Sequence, residues 1–201
     1  MLGLPKSTEL SKTIFKKNLH QKFGLSEKEK RSLDEDIAKM TIVHEVSPAS
    51  SNVAAGADIA RFFVVQVQLK KEDFSDNNII HLAKFIPHKT LFVLEYEGKA
   101  MLAVYETKLL KTKWSSTDDL TVPFEGMNLD DVWSKIVSVV LGGEWNNELS
   151  IGENIDNQAE LERIKKEIAQ LERQIKNEKQ PKKKFELVQK MKKLECLLRE
   201  G

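Results

Sequence analysis

Cysteine is almost missing from this chain. The single Cys196 excludes an intramolecular disulfide and any cysteine-based zinc site, and it fits a reducing compartment. Glycine is sparse, at nine residues, and none of the Gly-rich patterns that cradle nucleotide phosphates is present. There is no Gly-x-Ser-x-Gly elbow to raise a nucleophilic serine. An excess of one charge is missing too: 32 Lys and Arg against 31 Asp and Glu leave a formal net charge of +1, which gives no global field to draw in nucleic acid or an anionic membrane. No window approaches the apolar length of a membrane span. Met1 to Glu9 lacks the charged region and apolar run of a secretory leader. These absences predict a cytoplasmic protein away from the membrane, with no cofactor and no bound metal.

What is present divides the chain. A hydrophobic content of 40% over 201 residues is enough for one real core. From about Asp156 the composition changes to two charged, heptad-patterned segments joined at Lys179-Gln180-Pro181-Lys182. Leu161, Ile164, Ile168, Leu171 and Ile175 recur at alternating spacings of three and four, as do Leu187, Met191, Leu194 and Leu198 after the break. The expected architecture is α+β: a globular domain over residues 1–143 with a mixed β-sheet and flanking helices, a polar linker over 144–157, and a C-terminal antiparallel helical hairpin, a coiled coil, over 158–201.

Within the domain, Ser7 is placed to cap a helix carrying Leu10, Ile14, Phe15, Leu19 and Phe23, with Gly24 as its stop. Ser26 and Glu29 make a capping box for a second helix. Met40 to Val46 reads as a strand, followed by a loop from Ser47 to about Asp58. The apolar run from Phe62 to Val67 predicts a strand buried on both faces. A helix through Ile79 and Leu82 then leads past Pro87 to a strand over Thr90 to Tyr96, giving a strand, helix, strand unit. Glu97-Gly98 turns the chain into a hairpin partner over Ala100 to Thr107, and a further strand is expected between Leu120 and Phe124. Asn128 with Asp131 caps a helix over Leu129 to Leu141.

Three groups of residues carry candidate chemistry. Glu106-Thr107-Lys108, preceded by Glu95 and Glu97 on the neighbouring strand, has the residue types with which metal-dependent nucleases hold magnesium and activate water. The usual leading aspartate is absent, and ordinary cross-strand charge pairing explains the same residues. Histidines 20, 44, 81 and 88 have no metal-ligand spacing, so a buried or capping role is expected for each. The hairpin tip gathers Lys179, Lys182, Lys183 and Lys184, which suits salt-sensitive contact with a nucleic acid backbone and equally suits a solvated turn. The heptad residues named above, with Phe185, Val188 and Leu197 beside them, form an apolar edge that two helices alone cover poorly, so a protein partner or self-association is expected there.

Asn52 ahead of Arg61-Phe62-Phe63-Val64-Val65, then Ile86-Pro87-His88 before Leu91-Phe92-Val93-Leu94, and finally Gly126-Met127-Asn128-Leu129 together resemble the bacterial family catalogued as domain of unknown function 4391. The resemblance covers roughly Leu2 to Gly142, with the tail as a charged helical extension. It implies a small protein encoded near helicases and DNA methyltransferases in restriction-like or phage-defence clusters, and it carries over no catalytic residues. The expected function is a non-catalytic accessory or scaffolding subunit of a DNA-processing assembly, docking a helicase or methyltransferase through the coiled coil. The alternatives are a divergent metal-dependent nuclease and a nucleic-acid backbone binder.

Overall fold

The computed structural model describes residues 2–200, the last two of them as backbone only. The chain divides into two compact units, one ending at Gly142 and one beginning at Gly143.

The first unit opens differently from its helical pattern. Lys6–Thr8 form a single 3-10 turn, Glu9–Thr13 form strand β1, and helix α1 begins only at Lys16 and runs to Phe23. The expected helix from Ser7 is therefore cut in two. Pairing of Glu9 with His44, Lys12 with Ile42 and Thr13 with Thr41 gives the segment's backbone a ladder at the sheet edge, and tertiary pairing of this kind overrides a weak helical period. Gly24 ends α1 in the left-handed conformation at φ 55°. Helix α2, Glu27–Asp36, carries the expected capping box: the Ser26 N–H donates to Glu29 Oε2 at 2.8 Å and the Glu29 N–H donates to Ser26 Oγ.

Strand β2, Ile37–Val46, follows α2 without a loop. The one-turn helix α3, Pro48–Ser51, interrupts the segment read as a loop. Strand β3, Phe62–Leu69, helix α4, Asp76–Phe85, and strand β4, Lys89–Tyr96, make the strand, helix, strand unit, with β3 and β4 parallel. Strand β5, Lys99–Tyr105, pairs antiparallel with β4, and the short strands β6, Leu109–Lys111, and β7, Ser115–Ser116, both pair with β5. No strand forms over 120–124. Leu120 and Val122 are buried there, but the Val122 N–H donates to the Leu2 carbonyl instead of a ladder, and Pro123 has no N–H to give.

The seven-stranded sheet is mixed, in the order β1-β2-β3-β4-β5-β6. Alternation along the strands gives it two faces. Val65, Val67 and Leu69 of β3, with Phe92 and Leu94 of β4, share a core with Leu19 of α1, Leu33 of α2 and Leu82 of α4. The opposite face carries Phe62, Val64 and Gln66 of β3 and Leu91, Val93 and Glu95 of β4. Helix α5, Leu129–Leu141, lies on this second face, where buried Trp133 meets the Phe62 ring at 5.4 Å. It lies over the end of the face that Phe62 begins.

The second unit contains helix α6, Ile151–Asn177, and helix α7, Pro181–Glu200. Helix α6 starts seven residues before the expected hairpin boundary at residue 158. Ser150 and Glu153 form a full capping box, which starts the helix despite Gly152 and Asn154. Pro181 opens α7, where its missing N–H is harmless.

Candidate functional site

The four residues considered for nuclease chemistry fall in two places. Glu95 pairs in register with Ala100, whereas Leu91 pairs with Val104, so Glu95 and Glu106 lie at opposite ends of the β4–β5 hairpin. Six residues of strand between Ala100 and Glu106 correspond to ~20 Å. Glu97 sits in the tight turn at φ 45°, and Lys108 is exposed beyond β5. The Glu-x-Lys pattern and its acidic neighbours therefore do not converge. Among the described residues, no group of three or more His, Cys, Asp or Glu side chains is placed to hold a metal ion.

Each of these carboxylates instead has a local partner. Glu106, with a side chain only 10% exposed, accepts from the Trp133 indole N–H at 2.7 Å through Oε1 and forms an ion pair with Lys89 through Oε2. It fastens α5 to the sheet. Glu95 accepts from Gln66 Nε2 at 2.9 and 2.8 Å, through both oxygens.

The tail residues are brought together. Lys190 of α7 ion-pairs with Glu167 of α6 at 2.7 Å, and the hydrogen bond and charge of Lys190 hold the Glu167 carboxyl below the usual carboxylate range. Ile164 and Leu171 are buried. Leu161, Ile168, Ile175, Leu187, Met191, Leu194 and Leu198 are only partly covered. Phe185 and Leu197 remain 63% and 53% exposed. At the tip, Lys179, Lys182, Lys183 and Lys184 are all exposed, and the first turn of α7 contains no acidic residue. Three lysines in that turn oppose the helix dipole, which favours anions at an N-terminus.

One constellation gave no sequence signal. Where α5 leaves the second face of the sheet uncovered, a cleft of about 520 Å³ opens between β1, β2, β3, β4 and the segment around Leu120. Its polar groups are contributed by different strands, so no local spacing announces them. His44 is one. It lies next to a register shift in β2, and its Nδ1 is 2.9 Å from Thr8 Oγ1. The single hydroxyl hydrogen of Thr8 is given to the Pro5 carbonyl at 2.7 Å, so Thr8 accepts from His44, whose Nδ1 carries the proton and whose Nε2 is left as an acceptor. Burial pushes the His44 imidazole below the ordinary histidine range, with the Glu9 carboxylate opposing it. The neutral ring is the form that this geometry uses.

Fold and surface define an α+β protein with a mixed sheet and a C-terminal pair of helices. The chain belongs to the family described as Domain of unknown function (DUF4391), whose model matches residues 2–198. The match takes in both C-terminal helices and so extends beyond the Gly142 limit of the sequence resemblance. No curated protein and no solved structure matches the chain. Among the described residues, no helix is long and apolar enough to cross a membrane.

Proposed function

We propose that this protein is a non-catalytic accessory or scaffolding subunit that docks a partner protein through its C-terminal helices. The observation that carries the reading is the incomplete cover of the heptad stripe. Two helices buried only Ile164 and Leu171 of it, while two further large apolar side chains, Phe185 and Leu197, stand in solvent. Apolar surface of this kind is stabilised by a third or fourth helix. A helicase or DNA methyltransferase of a restriction-like or phage-defence cluster is the partner that the family resemblance implies, and the site of action is the cytoplasm.

The test uses the full chain and the neighbouring helicase or methyltransferase, both purified. Phe185→Asp with Leu197→Asp leaves the helical circular dichroism unchanged and weakens the complex by at least about tenfold, ~1.4 kcal/mol. Equal binding by the double variant overturns the reading. The lysine tip favours a second contact with DNA backbone, because its charges sit where they do least for the helix. Changing Lys182, Lys183 and Lys184 each to Gln then lowers the salt slope of duplex binding by about 2–3 without changing sequence preference.

A further inference from the structure

The cleft on the second face of the sheet has the construction of a small-molecule site. Its floor is apolar: Val93 and Ala100 are buried and Val43 is partly buried, with Leu4 and Leu120 at the sides. Its volume of about 520 Å³ lies within the range of pockets that enclose metabolite-sized ligands. The polar groups around this floor are mostly acceptors. Glu95 is fixed in orientation by the double contact from Gln66, which fills one lone-pair position on each oxygen and leaves the others open. His44 contributes Nε2, deprotonated because its other nitrogen donates to Thr8. Glu9 and Asp118 add two exposed carboxylates, and Lys6 supplies the single ammonium group.

Elsewhere in this unit the enclosed carboxylates are spoken for. Asp36 has Lys71, Glu106 has Lys89, and Asp130 has three backbone N–H groups. In the cleft, by contrast, neither Glu95 nor Glu9 nor Asp118 has an ion-pair partner among the described residues. An oriented carboxylate and an imidazole acceptor above an apolar floor call for a ligand that brings positive charge, N–H donors and a hydrophobic body. An anionic ligand would face three carboxylates with one lysine to meet it.

We propose that this cleft binds a small organic cation, an amine or amidine carried on an apolar body, with Glu95 taking its charge and His44 Nε2 accepting one of its N–H groups. This goes beyond the docking role, because the site lies on the sheet and uses none of the tail residues.

The probe is benzamidine, with benzyl alcohol and benzoate as neutral and anionic compounds of similar body. Binding to the full chain is followed by nuclear magnetic resonance of ¹³C-labelled histidine, with the His44 signal assigned from a His44→Gln sample. Benzamidine shifts the His44 signal saturably, with a dissociation constant on the order of 1 mM as suits a fragment. Glu95→Gln weakens it about tenfold. Asp118→Asn, at an exposed position, weakens it by about threefold, whereas Glu45→Gln, which removes the partner of Arg61, leaves it unchanged. The proposal is overturned if benzoate or benzyl alcohol binds as tightly, if benzamidine leaves the His44 signal in place, or if both cleft variants bind like the parent.

Discussion

The Trp133 indole N–H donates to Glu106 Oε1 at 2.7 Å, and the other oxygen of the same carboxylate is held by Lys89. One side chain thus connects the middle of α5, the end of β5 and the start of β4. Glu106→Ala orphans a buried indole donor, and such a loss costs about 1–3 kcal/mol. Trp133→Phe keeps most of the packing against Phe62 and removes only the hydrogen bond, so its cost is expected to be smaller. Urea unfolding of the two variants checks both values. A Glu106→Ala protein as stable as the parent would show that the connection contributes nothing.

Asp36 sets a second expectation. Burial raises its pKa and is the largest single cause, but Lys71, the Ser75 N–H and Asn78 together outweigh it and hold the carboxyl below the usual aspartate range. The side chain is only 2% exposed, and it joins the end of α2 to the start of α4 through contacts of 2.7 Å to Ser75 and Asn78. Asp36→Ala should therefore cost about 2–3 kcal/mol, chiefly from the two enclosed donors left unpaired. Lys71, 47% exposed, turns to water, so Lys71→Ala is expected to cost less than Asp36→Ala. Because the folded carboxyl is the stronger acid, this stability is present above the unfolded value near 3.9 and is lost as pH falls through the lower folded value. Thermal melts of both variants between neutral and acid pH measure the difference.

His44 titrates in the opposite charge sense with the same dependence on pH. Its folded pKa is lowered by burial, so between the folded value and the unfolded value near 6.5 the unfolded chain binds a proton that the folded chain refuses. Its contribution is complete above about pH 7.5 and declines as pH falls through 6.5. His44→Gln retains an N–H donor for Thr8 and loses the titration. The stability gap between parent and variant should narrow from pH 7.5 to pH 5.5; a constant gap would refute the assignment.

Gly56 is required by the carboxylate of Asp130. That group accepts from the backbone N–H groups of Ala57, Asp58 and Ile59 at 2.6, 3.2 and 2.9 Å, and a Cβ at position 56 would lie 2.1 Å from its Cγ. Gly56→Ala must displace the carboxylate and undo the cluster. A loss of about 2–3 kcal/mol is expected, and Asp130→Ala should lose a similar amount. The double variant should be little worse than either single one, since both remove the same contacts.

Legibility in the sequence followed locality. The Ser26–Glu29 capping box, the Asn128 cap, the Gly24 stop and the strand, helix, strand unit from Phe62 to Tyr96 are written in adjacent residues, and each was readable. The N-terminal segment departs from its pattern because Leu10 and Ile14 have helical spacing, while the pairing that makes Glu9–Thr13 a strand comes from His44 and Thr41, some thirty residues away. Residues 120–124 have strand composition without a partner strand. The capping box at Ser150 was present in the sequence but hidden by Gly152 and Asn154. The cleft was illegible for the same physical reason as β1: Glu9, His44, Gln66 and Glu95 sit on four different strands and meet only through the register. The Glu95 and Glu106 groups were close in sequence, yet the hairpin places them apart.

The order of the strands across the sheet is the order in which they are synthesised, from β1 to β6. Each strand from β2 to β6 therefore pairs with its predecessor, across separations that run from the Glu97-Gly98 turn before β5 to the α1–α2 segment before β2, and because closure entropy grows only slowly with loop length the cost per step stays moderate. The sheet can grow by accretion from one side, each strand waiting only for the next strand in the chain. Such a topology favours fast folding and leaves a single transient growing edge to attract wrong partners while the chain is still emerging.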